Sequence, residues 1–444
     1  MHECRQGVGS RETACPVFIP IAQAEDAGLF SEYRGIPWQA RLLVYLSFIP
    51  NVAIGFIYTD LGYFLVTFQG IGPTQAGFVI TVMGLTLVVE SIPMGIVADR
   101  FGRKKMLILG NLCASLSLVG FALTTNYALI LLVAVLEGTG EAAFAVSVSA
   151  ILAGNAGDEK RTSAFSLLNI IGWIASAVGS AVIASVVGFQ GLGLGLGQAH
   201  VVLFVIVGLL DLSITPFLLK VSGGPSYGKT KGLLPRKSGG VLMKYLSYSV
   251  LIAVGAGLFV PIMTVWFRAA YGVSDDVSGL VLAVTSLLTA GVVVVTPKLA
   301  KKFGLVRATV VTQASSTAFM LAVPLSPTFP LSASFYVVRV FLMNLSSPLT
   351  QSLIMGLVSP DERGMASGIT ASLWRLPNSL STTVGLTWIG EGLIALPFYV
   401  ATVLYIVGIT TFWLLFRKAT LPEEEMRVAQ EAQSSSLEGP EVEC

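Results

Sequence analysis

Residues 98–105 read ADRFGRKK, and residues 300–307, 202 positions further on, read AKKFGLVR. Each is a short basic stretch between two long apolar runs. At this offset Phe101 meets Phe303 and Gly102 meets Gly304. The same offset, within one residue, brings the cluster DEKR (158–161) onto DER (361–363). Two matches that share one offset describe a chain made of two similar halves laid in the same orientation, a parallel repeat.

The runs on either side of these loops set the solvent. Of 444 residues 54% are apolar and 12% charged, against roughly 25% charged in an ordinary soluble domain. A helix that crosses a hydrocarbon core needs about 20 mostly apolar residues. Spans of that kind are expected near 42–66, 75–97, 106–125, 127–152, 164–189 and 199–220. Six more follow near 243–268, 277–297, 307–325, 330–356, 367–389 and 393–416. The expected organisation is a polar amino-terminal segment (1–41), a six-helix bundle (42–220), a linker (221–241), a second bundle (242–416) and an acidic, Ser-rich tail (417–444) with too few apolar residues to order itself. The first 40 residues lack the basic and short apolar regions of a cleaved signal. Cys4, Cys15, Cys113 and Cys444 have neither a disulfide nor a zinc spacing.

Basic residues gather in short cytoplasmic loops of membrane proteins. With both termini placed inside, all but three of the 27 Lys and Arg residues fall on the cytoplasmic side; the exceptions are Arg268, Arg339 and Arg375. An even number of spans with cytoplasmic termini is therefore expected, in a multi-pass protein of the plasma (inner) membrane.

Residues 95–107, GIVADRFGRKKML, carry more than charge. Gly95 permits close helix approach, Gly102 a tight reversal, and Arg100, Arg103 and Lys104 anchor the loop at an anionic leaflet. With Asp99 they resemble motif A of the major facilitator superfamily. The resemblance implies an all-α membrane protein of twelve transmembrane helices in two pseudo-symmetric six-helix bundles. It also implies a pathway lined by the first, fourth, seventh and tenth spans. Asp99 is expected to clasp the helix start near Gly364–Gly368 when the carrier faces outward, because helix amino termini attract anions, and to let go when it faces inward. The fourth span, VAVLEGTGEAAF, has Ala134 where the family's motif B has arginine, and the fifth lacks the glycine-proline pattern of motif C.

Charges within spans are costly and usually functional. Asp60, Glu137, Glu141 and Arg339 lie on the pathway spans, and with Asn344 they form the expected substrate or proton pathway. Glu137 and Glu141, four apart, share a helix face, where two close carboxylates resist ionising together. The offset maps Glu137 onto Arg339, so an acid and a base are expected at matching depths, meeting across the cavity. Glu90 and Arg375 are expected to pair as a cytoplasmic gate. Asp211 is read as making a local polar contact, and the break at Ser346, Ser347 and Pro348 as a bend with hydrogen-bonding capacity. Neither His2 nor His200 has a catalytic setting, and GLGLGLGQ (191–198) is a short connection, not a phosphate loop.

These features imply secondary active transport of a small solute by alternating access, coupled to protons. Three acids against Arg339 favour export of a cationic or amphiphilic compound. Uptake of a sugar, organic acid or amino acid is the alternative, with an anion seated on Arg339 or Arg375; a non-transporting sensor is a third reading. No catalytic residue, metal, cofactor or nucleic-acid partner is expected, and the chain is expected to act as a monomer in the lipid bilayer.

Overall fold

A computed structural model of the chain describes residue 33 and residues 35–223, 238–359 and 363–419. Most of the amino-terminal segment, the linker and the acidic tail thus lie outside the described residues.

The described residues fold into helices without strands. In the first half these are α1 (Trp38–Thr67), α2 (Pro73–Phe101), α3 (Arg103–Leu123), α4 (Tyr127–Gly157), α5 (Ser163–Gly191) and α6 (Leu196–Leu218). In the second they are α7 (Gly239–Tyr271), α8 (Asp275–Phe303), α9 (Leu305–Leu325), α10 (Phe329–Leu357), α11 (Arg363–Gly390) and α12 (Leu396–Phe416). Eleven of the twelve are both long and apolar enough to cross a membrane. The remaining one, α11, has 28 residues. Its length suffices, but Arg375, Asn378 and a run of serines and threonines make it polar.

The repeat appears in the backbone. Helices α2 and α8 both have 29 residues and start 202 positions apart; α3 and α9 both have 21 and start 202 apart. Between them Gly102 and Gly304 both take positive φ, 104° and 73°. That region is open to glycine and strained for side chains bearing a Cβ, so the aligned glycines are the residues that let each helix pair reverse within one residue. Gly157, at φ 70°, marks the junction of α4 and α5. Helix α7 is broken: a 3-10 turn at Val260–Ile262 separates Gly239–Gly257 from Met263–Tyr271. Pro261, with no N–H to donate, sits in that turn.

The end of the bundle that carries the Gly102 and Gly304 turns is called the basic end, the opposite one the far end. At the far end the halves close on one another. Thr81 of α2 donates to the Ser379 carbonyl of α11 (2.6 Å) and contacts Thr383 (2.7 Å). Thr264 of α7 donates to the Thr59 carbonyl of α1 (2.8 Å), and Arg268 of α7 donates to the Tyr63 hydroxyl of α1. A Cβ built on Gly279 of α8 would stand 2.6 Å from the Ser180 carbonyl of α5, which is the approach only glycine allows.

Candidate functional site

Between the halves lies a cavity of about 460 Å³. Its wall is built from the stretches of α7, α10 and α11 nearer the basic end, with Gln313 contributed by α9 and Trp173 by α5. The far end is shut, as described above, so the cavity belongs to the basic-end side of the protein. Tyr245, Tyr248, Gln313, Asn344 and Ser346 give it a surface of aromatic faces, amides and hydroxyls. Gln313 donates to the Tyr248 hydroxyl and to Ser346 Oγ (2.9 Å). Tyr248 and Gln313 are otherwise buried, so these bonds hold polar groups in place where unpaired ones would be costly.

Arg375 is the charged side chain among the described lining residues. It is 48% exposed and donates at 2.8 Å to Glu141 Oε1, whose side chain is 8% exposed. Glu141 Oε2 accepts from the Tyr58 hydroxyl at 2.8 Å. One carboxylate on α4 is therefore held from two sides, by a phenol of its own half and by a guanidinium of the other.

The remaining expected residues divide between this site and other places. Glu137 is buried and accepts from Ser117 of α3 within its own half. Arg339 is buried too: it donates to the Tyr405 hydroxyl (2.7 Å), and its guanidinium faces the rings of Phe259 (4.9 Å) and Tyr405 (5.6 Å). The two do not meet. Each is turned into its own bundle, where hydroxyls and ring faces replace water. The expected Glu90–Arg375 gate is likewise not formed here, because Arg375 is occupied by Glu141; Glu90 Oε2 is buried with no hydrogen-bond partner. Asn344 reaches the cavity wall and donates back to the Val340 carbonyl (2.9 Å), and α10 continues as helix through Pro348. Asp211 accepts from Ser115 (2.7 Å), a local contact.

Motif A lies at the basic end. Asp99 is 57% exposed and pairs at 3.0 Å with Arg103, four residues on, in its own half. Gly102 forms the reversal, and Lys104 donates to the Leu219 carbonyl (2.5 Å) at the end of α6. Gly95 lies 3.6 Å, measured from a built Cβ, from Val146 of α4. Arg100 is exposed. The proposed partners of Asp99 near Gly364–Gly368 have side chains outside the described set, Ala366 apart, which is buried.

Asp60 has a different setting from the one its span suggests. It is fully buried at the far end, 3.8 Å from His200 Nε2, and His200 in turn lies 2.5 Å from Asp275 Oδ2 of the second half. His200 and Asp275 were not readable as a site. One follows a glycine-rich connection and the other looks like an acid at a helix start, where it complements the helix dipole. Trp173 and Met343 had a usable signal, since the offset of 202 maps them onto Arg375 and Glu141; both line the cavity.

The comparisons agree with this architecture. A family model described as Major Facilitator Superfamily matches residues 41–382 and 245–439. No curated protein sequence matches significantly. Among solved structures, a bacterial homolog of the human lysosomal transporter Spinster, inward-facing and unoccupied, is similar at TM-score 0.69 and 16% identity, covering 86% of this chain and 96% of that one. The nucleoside transporter NupG is similar at TM-score 0.67 and 16% identity, covering 86% and 100%. The human organic anion transporter MFSD10 is similar at TM-score 0.58 and 14% identity, covering 84% and 99%. Identities this low carry the fold alone. By the match of the family model along nearly its whole length, the chain belongs to the Major Facilitator Superfamily and is a multi-pass membrane transporter, not an enzyme.

Proposed function

We propose that this transporter couples protons to the movement of a small amphiphilic solute, with Glu141 exchanging the proton and Arg375 receiving a hydrogen-bond acceptor or anionic group of the solute. The carrying observation is the Arg375–Glu141 pair, which joins the halves at the cavity wall. Protonation of Glu141 removes the charge that holds Arg375. The guanidinium is then free to bind a solute acceptor, and it is already half exposed to the cavity. A carrier of this design takes up proton and solute together on one face and releases both on the other, and the gradients set the direction of net flux.

The acids Asp60, Glu137 and Glu141 stand behind the wall and not in it, so a net acidic pathway does not argue for a cation. A cationic amphiphile keeps support from a different feature: Trp173, Trp374 and Tyr245 line the cavity, and aromatic rings attract cations at their faces.

The test is proton flux in proteoliposomes under an imposed pH gradient, challenged in turn with nucleosides, organic anions and lipophilic cations. Solute-evoked proton movement by a nucleoside or anion, lost in Glu141→Gln, supports the reading. Movement evoked by cations alone transfers the assignment to cation exchange through the aromatic wall. Solute transport that carries no protons removes Glu141 from the coupling role.

A further inference from the structure

At the far end, away from the cavity, three donor groups converge from both halves. Asp60 (α1), His200 (α6) and Asp275 (α8) are at most 1% exposed, and one ligand atom from each lies within 4.8 Å of the others. His200 Nδ1 is 2.8 Å from the Leu196 carbonyl. A carbonyl only accepts, so Nδ1 carries a hydrogen and the ring's other nitrogen, Nε2, is the one turned toward the two carboxylates.

With both carboxylates ionised, this arrangement is balanced by positive charge at its centre. A proton on Nε2 would serve the 2.5 Å contact with Asp275 Oδ2 and nothing else. Both oxygens of Asp60 and Oδ1 of Asp275 are buried without a hydrogen-bond partner. Two carboxylates with one imidazolium also leave a net negative charge in a site sealed from water, a costly state. The cation nearby, Arg268, donates to Tyr63 and packs over the Tyr63 ring at 5.0 Å.

We propose that Asp60, His200 and Asp275 bind one divalent transition-metal ion of the zinc class and so latch the two halves together at the far end. A divalent ion with two carboxylates and a neutral imidazole is electrically balanced, and it supplies the partner that the Asp60 carboxylate lacks. Tetrahedral bonds of about 2.0–2.1 Å place donor atoms about 3.3 Å apart, so His200 Nε2 and Asp275 Oδ2 part by under about 1 Å, while Asp60 Oδ1, now 3.8 Å from Nε2, closes on it. A nitrogen donor and only three residues suit zinc-class ions over calcium, which takes six to eight oxygens. The bond from Nδ1 to Leu196 is the outer contact that orients a metal-bound imidazole. The rings of Phe68 (4.6 Å), Tyr63 (6.1 Å) and Phe64 (6.3 Å) surround His200 and shield the site from bulk solvent, and the ion's fourth position goes to one enclosed water. Because Asp275 belongs to the other half, bound metal stabilises the conformation that is closed at the far end.

The experiment uses the purified full-length chain, stripped with a chelator and brought to equilibrium with ZnCl₂ against a chromophoric competitor, or with CoCl₂ while visible absorption is recorded. One Zn²⁺ per chain is expected, weakened at least tenfold by His200→Ala and by Asp275→Asn, with tetrahedral Co²⁺ bands in the native chain. Thermal unfolding without metal checks that the variants are folded; should one not fold, the Co²⁺ spectrum of the native chain still decides. Binding that the variants leave unchanged, octahedral Co²⁺ only, or no binding of either metal overturns the proposal and leaves the cluster a proton-binding group. Binding is measured without solute, so failure of the proton-coupled reading at Glu141 would not disturb this result, nor the reverse.

Discussion

Arg375 and Glu141, 234 positions apart in the chain, meet at 2.8 Å where the second half faces the first across the cavity. The pair is asymmetric. Arg375 is half exposed and can keep its charge in water, whereas Glu141 is 8% exposed and depends on Arg375 and Tyr58 for its partners. The two single removals should therefore differ in kind.

Glu141→Gln keeps the Tyr58 hydrogen bond, because an amide oxygen also accepts, and leaves Arg375 solvated. Its stability should stay within about 1 kcal/mol of the native chain, because one hydrogen bond weakens and no charge is left buried without a partner. Solute exchange between equal concentrations should persist while proton-driven accumulation falls at least tenfold. Arg375→Ala instead strands a largely buried carboxylate. That should cost about 1–3 kcal/mol, since an unpaired buried charge costs more than a lost pair. Thermal melting of both variants with and without solute, beside exchange and accumulation assays, checks the contrast; equal destabilisation would contradict the asymmetry.

The far-end seal makes a second prediction. A Cβ on Gly279 would meet the Ser180 carbonyl at 2.6 Å, and a backbone atom in a helix cannot step aside cheaply. Gly279→Ala should disfavour this closed far end by about 1–3 kcal/mol, the usual cost of overpacking, and so move the equilibrium between the two faces by about 5–150-fold. Distance measurements between spin labels placed across the far end should show a longer population. An unchanged distribution would mean that α5 and α8 are free to shift together.

Much of this fold was legible in the sequence because the bilayer leaves few choices. Spans must be about 20 apolar residues long, and short polar loops mark where each one ends. The repeat was legible for a backbone reason: Gly102 and Gly304 both sit at positive φ, so both halves must keep glycine there, and the alignment at 202 followed. Site residues were legible singly, since a charge in a span stands out. Their pairing was not. Arg375 bonds Glu141 and not Glu90, and Arg339 and Glu137 turn into their own halves. The choice depends on helix rotation and on hydroxyls such as Tyr58, Ser117 and Tyr405, which look ordinary in a sequence. His200 and Asp275 escaped because each is unremarkable alone and becomes a site only when α6 and α8 meet.

Motif A supplies a third prediction. In this conformation Asp99 is 57% exposed and, among the described residues, pairs with a neighbour one helical turn away, a bond worth about 0.3–0.5 kcal/mol. We propose that its larger role is in the opposite conformation, where it clasps the start of α11. Asp99→Asn should then cost this state almost nothing and the other state more. Cysteines introduced along the cavity wall, at Thr350 for example, should label faster from the basic end in the variant. Equal labelling rates would reduce Asp99 to a member of a basic anchoring loop.

Arg339 makes the last prediction. It is buried, with Tyr405 and two ring faces for partners and its Nε unpaired. A buried charge held this way does not stabilise a bundle efficiently, and apolar replacements of similar volume at such sites are often neutral or stabilising by about 1–4 kcal/mol. Arg339→Met should accordingly melt no earlier than the native chain. If the charge is retained for transport, the same variant should lose solute exchange while remaining folded, and Arg339→Lys should restore little, because an ammonium cannot present a planar face to Phe259 and donate to Tyr405 at once. Full exchange by Arg339→Met would instead assign Arg339 to packing and leave Arg375 as the cation that serves the cavity.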